Sequence, residues 1–544
     1  MFAATLAFSA VAAGARTAEE RSPLSLYVQA RAAASAGALD RATAGFGSAM
    51  SAAPDNELIA AQAMAHAVTA GDWALALNAA RTLERRSALL PDARFLLLAD
   101  AFRRRDWRVA EAQIAVVERE QLFAFTVPVL RAWLAFGSGR GDPLAALPEP
   151  GGQGAGAAYA AEHRPLLLAA MGRPEAVDQL SRAANSAGPR GSRLRIAGAA
   201  VLLRRDRAGA LRLLEGNGAP LAAARRLVAA RRPLPGAIAG ADSALAELLV
   251  RLSLDLHAQE LTPLAATFAR LATWLAPDNS ETWMVAAELL GQQGRQRIAV
   301  PLLANVGAGD PFAETVRDQR VRLLVAGGDR ETALAEALAA TRASSAPASD
   351  WVRLGEVYGA LDRQGDAANA FGRALAVRDG DDDGGSEWTL WLMRGGALDQ
   401  ADNWPEALSA LRNAYRLAPE QPFVLNYLGY AQLARRENVA EAERLIREAH
   451  RLAPDNAAIT DSLGWALFLK GELPEAIQLL ERAAEGEPAD VEINEHLGDA
   501  YFTAGRRVEA RFAWSAALAY AEGADATRLR AKIETGLTPQ LAAR

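Results

Sequence analysis

Small and apolar residues recur at a fixed distance along the C-terminal half of the chain. Leu463-Gly464 returns as Leu497-Gly498, 34 residues later. Ala476 returns as Ala510, Leu480 as Trp514 and Ala483 as Ala517, and Pro488 closes the first unit. The pattern predicts two helical hairpins over residues 457–520. Small residues at Gly464 and Ala476 let antiparallel helices approach closely, and Leu480 fills the space beside them. Gly471 falls in the turn between the helices and Pro474 where the second one begins. A single hairpin of this kind leaves an apolar face uncovered, so neighbours must stack on it.

The same register extends over most of the chain. With Gly464 as position 8 of a repeat, Ala falls at position 20, a large residue at 24, a small one at 27 and often Pro at 32. Position 8 is Ala30, Met64, Leu98, Ala132, Arg164 and Gly198 in six weaker units, then Ser253, Ala287, Val321, Gly355, Gly395, Gly429, Gly464 and Gly498. The second helix after Ala132 is poor, and PEPGGQGAG at 148–156 reads as a loop. From Gly198 to Ser253 the interval is 55 residues, and its excess holds an Arg-rich helix and then PLPGAIAG. From Ser253 on the intervals are 34, 34, 34, 40, 34, 35 and 34. These features match the tetratricopeptide pattern W-x2-L-G-x2-Y…A-x3-F…P. The expected fold is all-α: a right-handed superhelix of about 14 hairpins in two blocks. The blocks are a degenerate one over 16–235 and a regular one over 246–521, joined by a linker at 236–245. A capping helix and tail follow over 522–544. Gly355, Gly395, Gly429, Gly464, Gly498, Ala476 and Ala510 are the expected packing positions.

Composition narrows the function classes. The chain has 544 residues, is 51% hydrophobic and contains no Cys, so disulfides, zinc-thiolate sites and a cysteine nucleophile are excluded. Its net charge of −6 lacks a generic nucleic-acid footprint. The charge is uneven: residues 1–240 carry 29 Arg and no Lys against 20 acidic residues, +9, and the remainder carries −15. Solvated helix faces explain this, and a bipolar rod with different partners at its ends is the sharper alternative. Residues 2–15 are apolar and end in Ala13-Gly14-Ala15, an A-x-A pattern behind a short h-region, although no Lys or Arg precedes it. The expectation is a signal peptide over 1–15 and a periplasmic or exported, envelope-associated protein. The alternative is an Ala-rich first helix in a cytoplasmic scaffold of signalling or regulation, or in a repeat module of an enzyme complex. No other segment looks transmembrane.

Catalytic chemistry is sparse. His66, His163, His257, His450 and His496 are scattered, with no metal-binding spacing, and each is expected as a partly exposed helix residue. There is no nucleophile elbow, Walker A motif or dinucleotide fingerprint. Asp379, Asp381, Asp383 and Gly384 fit the start of a calcium loop, but position 12 is Leu390 where a bidentate Glu is required. The run is therefore expected as a solvated spacer. No cofactor, no metal and no enzymatic activity are expected.

Four stretches carry a closer resemblance: EWTLWLMRGGAL (387–398), FVLNYLGYAQLARRENVAEAERLIREAHRLAPDN (423–456), ITDSLGWAL (459–467) and INEHLGDAYFTAGRRVEARFAWSAAL (493–518). They resemble a family of proteobacterial tetratricopeptide proteins. One branch is an outer-membrane lipoprotein adaptor that binds and activates a periplasmic C-terminal-processing protease. The resemblance implies an envelope adaptor recruiting a protease and its substrates. Without Cys there is no lipobox, which leaves a soluble exported form. In tetratricopeptide proteins positions 2, 5, 9, 12 and 13 of the first helix line the concave face. The resemblance therefore implies a partner-binding groove at Asn426, Tyr430, Asp461, Trp465, Phe468, Glu495, Asp499 and Phe502, flanked by Leu433, Leu469 and Glu492. Inter-repeat packing is the alternative role for Trp465. Acids replace the Lys and Arg that clamp a terminal carboxylate elsewhere, so the expected partner is a protein or peptide offering a basic or apolar segment.

Overall fold

The computed structural model describes residues 22–343, 346–378 and 386–542. The leader expected at 1–15 and the acidic run at 379–385 lie outside them. The described residues form 29 α-helices and no strand. Each of the position-8 residues, from Ala30 to Gly498, falls in the first helix of a successive pair.

Local sequence accounts for the turns. Asn456 accepts the Ile459 amide at 3.0 Å and caps Ala457–Lys470; Gly471, at φ 80°, ends that helix; Pro474 opens Leu473–Gly486. The earlier hairpins use the same devices, with Asn56, Asp72 and Asp106 as N-caps. Close approach sets the hairpin geometry. A Cβ at Gly464 would lie 2.8 Å from Leu480, at Gly355 2.5 Å from Phe371, at Gly395 2.7 Å from Leu411, at Gly429 2.8 Å from Ile446 and at Gly498 2.3 Å from Trp514. Ala476 and Ala510 are fully buried on the second helices.

The chain forms two compact units, Met1–Asp329 and Arg330–Arg544. The division therefore does not fall at the linker expected over 236–245, which lies inside the first unit. The reason is packing between hairpins distant in sequence. Thr262–Leu275 lies against Glu57–Ala70 and Pro91–Arg104, and Ala241–His257 against Pro91–Arg104 and Val127–Ser138. Phe268 is fully buried, with its ring 5.1 Å from Phe95 and 5.7 Å from Phe123. Trp274 stacks on Trp73 at 4.9 Å, and Arg103 covers its other face at 4.5 Å. The first unit is thus tied together by its own seventh hairpin.

Two weak points of the register are also visible. After Gly139 the second helix shrinks to a 3-10 turn, Pro143–Ala146, and the 55-residue interval holds the extra helix Ala219–Ala229. In the second unit Leu390, where the calcium loop needs a carboxylate, is buried against Ala348 and Ala374. Gly523–Thr535 packs against Arg507–Tyr520.

Gly464→Leu should overpack its hairpin and cost about 1–3 kcal/mol. Urea unfolding followed by circular dichroism measures this. Unchanged stability would contradict the close approach of Gly464 to Leu480.

Candidate functional site

The first helices of the second unit place the predicted residues in three environments. Asn426, Tyr430 and Asp461 line one cavity of about 300 Å³, together with Asp399, Tyr427, Asp490 and Glu492. The Tyr430 hydroxyl donates to Glu492 and the Tyr427 hydroxyl to Asp399, the latter at 3.3 Å. Burial, then the neighbouring carboxylate, raises both phenol pKa values, so both remain protonated donors. Asp399 pairs with Arg435, and Asp490 caps the last repeat by accepting the Ile493 amide at 2.9 Å. The Asn426 Oδ1 is buried and has no hydrogen-bond partner.

Trp465 is not a groove residue. It is 2% exposed, stacked between Phe468 at 4.7 Å and His496 at 4.0 Å. Its expected role as a partner contact gives way to inter-repeat packing, because position 9 here meets the next first helix instead of solvent. Asp461, 4% exposed, holds His496 Nδ1 at 2.9 Å. His496 and His163 are fully buried, contrary to the expected partial exposure. Burial alone would lower the pKa of His496; the charge and hydrogen bond of Asp461 outweigh it and raise the value above 6.5. His163 has no such partner: its Nδ1 accepts the Trp133 indole N–H at 3.1 Å, and burial pushes its pKa down to about 4.

Glu495 and Asp499 are also withdrawn from solvent. They hold the capping helix. Arg528 donates to Glu495 at 2.8 and 2.6 Å, and the Lys532 ammonium reaches Glu495 at 2.6 Å and Asp499 at 2.7 Å. Asp499 also accepts the Trp514 indole N–H at 2.9 Å. Lys532 is fully buried, and Phe502 is half-buried beside Trp514. These acids were expected to steer a basic partner; their cations come from the chain itself. Sequence reasoning missed Asp399, Tyr427, Asp490, Arg528 and Lys532. One signal was present: an Arg-rich chain places one of its two lysines at 532.

Residues 467–533 match the model of the tetratricopeptide repeat family. Each unit is a stack of helical hairpins, and the matched residues lie in the second unit. No curated protein matches the chain. Among solved structures, the APC/C hetero-tetramer Cut9-Hcn1 is 14% identical, with 96% of this chain and 100% of that chain covered, at a TM-score of 0.38. TTC0263, a thermophilic TPR protein in Thermus thermophilus, is 23% identical over 35% of this chain and 98% of that one, at 0.30. YrrB, described as a TPR protein with an unusual peptide-binding site, is 17% identical over 32% and 86%, at 0.25. At these values the likeness carries no inference about a ligand. Among the described residues no group of three or more His, Cys, Asp or Glu is arranged to hold a metal ion, and no helix is long and apolar enough to cross a membrane.

The buried charges can be tested in two ways. Lys532→Met should destabilise the second unit by about 3–5 kcal/mol, since it takes the ammonium away from the buried Asp499 carboxylate. Adding Asp499→Asn should restore part of the loss, and chemical denaturation of the single and double variants reads it. The other test varies pH. The His496–Asp461 pair has a raised folded pKa, so its contribution is complete below about pH 6.5 and is lost as pH rises through the folded value. Between pH 6 and 9 the Tm should fall further for the parent than for Asp461→Asn. Parallel curves would show that the pair does not couple folding to protonation.

Proposed function

We propose that the second unit is a non-enzymatic interaction scaffold that takes a basic peptide segment in the groove at Asn426, Tyr430 and Glu492. One observation carries the reading. Among the described residues the cavity there is lined by four carboxylates, Asp399, Asp461, Asp490 and Glu492, and by no cationic side chain. Arg435 partners Asp399 and His496 partners Asp461; the other His496 nitrogen lies 4.0 Å from Glu492, which remains largely exposed and bonded to Tyr430. A lysine or arginine entering the cavity meets negative potential, two tyrosine rings and the unpartnered Asn426 Oδ1. Steering of this kind speeds association and weakens as salt rises.

The finer reading is an exported adaptor that recruits a C-terminal-processing protease and its substrates. Its support is the family resemblance of residues 387–520 and the apolar stretch at 2–15. N-terminal sequencing of protein recovered from the periplasm tests the export. An intact Met1 on the recovered chain, or its absence from that fraction, would count against it.

The groove is tested with a fluorescein-labelled (Gly-Ser-Arg)3 peptide and its Glu-substituted counterpart. The double variant Tyr430→Phe with Glu492→Gln should weaken binding of the basic peptide about tenfold, ~1.4 kcal/mol, at unchanged Tm. Trp465→Ala, by contrast, should lower stability by about 3–5 kcal/mol, and its loss of binding should track unfolding. A folded double variant that binds at full strength would remove the groove from consideration.

A further inference from the structure

The first unit holds a larger cavity, about 750 Å³, between Gly191–Leu202, Ala241–His257, Ser280–Gln292 and Ala313–Ala326. It is chemically unlike the acidic groove. One wall is apolar, formed by Leu254, Met284, Val285, Leu289 and Phe312. The floor is a nearly buried ionic cluster. Arg190 reaches Glu162 at 2.9 Å, Glu281 at 2.8 Å and Glu247; Arg251 reaches Glu162 at 3.0 Å and Asp255 at 3.1 Å. Arg193 lies 3.7 Å from Glu281 and donates to the Gly236 carbonyl at 2.7 Å. Glu288 lines the same cavity and accepts amide donors from Gln292 and Gln319, both at 3.1 Å. Arg322 stands at the rim.

The charges do not balance. Five carboxylates, Glu162, Glu247, Asp255, Glu281 and Glu288, face four guanidinium groups, Arg190, Arg193, Arg251 and Arg322. Two of the remaining titratable neighbours, Tyr159 and His163, add no cation. Tyr159 is a phenol donating to Asp255 at 2.8 Å, His163 is held neutral by burial, and His257 shares a hydrogen bond with Thr262. The deficit is visible at Glu247. This side chain is fully buried, and its Oε2 has no hydrogen-bond partner. Burial outweighs the attraction of Arg190 and raises its pKa to about 7. A buried carboxylate short of a partner is relieved by a proton or by another cation nearby.

We propose that this cavity binds a peptide segment in which a lysine or arginine stands beside a large apolar side chain. The cation enters on the side of Glu162, Glu281 and Glu288 and completes the cluster. The apolar neighbour lies on Met284, Val285 and Phe312. Because added positive charge favours the ionised form of Glu247, binding near pH 7 releases protons from the protein. The proposal stands apart from the groove of the second unit and requires nothing of it.

The test uses the full chain and three fluorescein-labelled nonapeptides with the same Gly-Ser flanks and the centres Leu-Lys-Phe, Leu-Glu-Phe and Ser-Lys-Ser. Fluorescence anisotropy should show the first binding about tenfold more tightly than either of the others. Tyr430→Phe with Glu492→Gln should leave that affinity intact, which separates this site from the acidic groove. Met284→Glu should weaken it about tenfold and Glu288→Gln about threefold, with the Tm unchanged. Calorimetry in buffers of different ionisation enthalpy should register proton release at pH 7. Equal affinity for all three peptides, no binding of the first, loss of binding in the Tyr430/Glu492 variant, or full binding by Glu288→Gln would each overturn the proposal. If Met284→Glu fails to fold, the Glu288 variant and the peptide comparison still decide.

Discussion

A side chain at Gly498 would place its first carbon 2.3 Å from the Trp514 ring, and the equivalent clash recurs at Gly355, Gly395, Gly429 and Gly464. This complementarity of a missing side chain on one helix and a large one on the next determines how closely the two helices of a hairpin lie. Close packing then aims the remaining positions of the first helix away from its partner, toward the preceding and following hairpins. Residues that the repeat pattern assigns to a groove can therefore be covered by the neighbouring hairpin. Trp465 meets His496 in this way, and Asp461 meets the same ring from its edge.

Polar contacts between successive hairpins are consequently structural in the last repeats. Asp461 with His496, then Glu495 and Asp499 with Arg528 and Lys532, form consecutive buried pairs along the stack. Their net worth is modest where each charge is matched, but removal of one partner leaves a desolvated charge behind. The pairs are also unlike one another. A helix carrying a histidine suits Asp461, whereas the two acids of the last first helix require two cations four residues apart. The identity of each pair thus specifies which helix follows which.

The hairpins were legible because their signals are local: a small residue, a large one sixteen positions on, Gly or a capping side chain at the turn. The poor second helix after Gly139 was legible for the same reason. The position of the domain division was not. PLPGAIAG looks like a linker, yet Phe268 packs on Phe95 and Phe123, contacts more than 140 residues away in sequence that no periodicity encodes. The candidate site was half legible. Asn426, Tyr430 and Asp461 do share one cavity, but the repeat pattern names faces and not their coverage, so Glu495 and Asp499 were assigned to solvent while Lys532 was overlooked.

The surviving groove owes its charge to what the buried pairs remove. Once Glu495 and Asp499 are neutralised by the capping helix, the acids with access to a ligand are those without a full cationic counterpart in the cavity, above all Glu492. Tyr430 holds that carboxylate by a hydroxyl donor, which fixes its position without neutralising it. A neutral donor is the right partner for an acid meant to receive a cation: an arginine in place of Tyr430 would satisfy Glu492 internally and cancel the field at the cavity mouth. Tyr430→Arg should therefore abolish affinity for the basic peptide more completely than Tyr430→Phe, although it retains a hydrogen-bond donor to Glu492. If the arginine variant binds as well as the phenylalanine variant, the groove works through shape and not through charge.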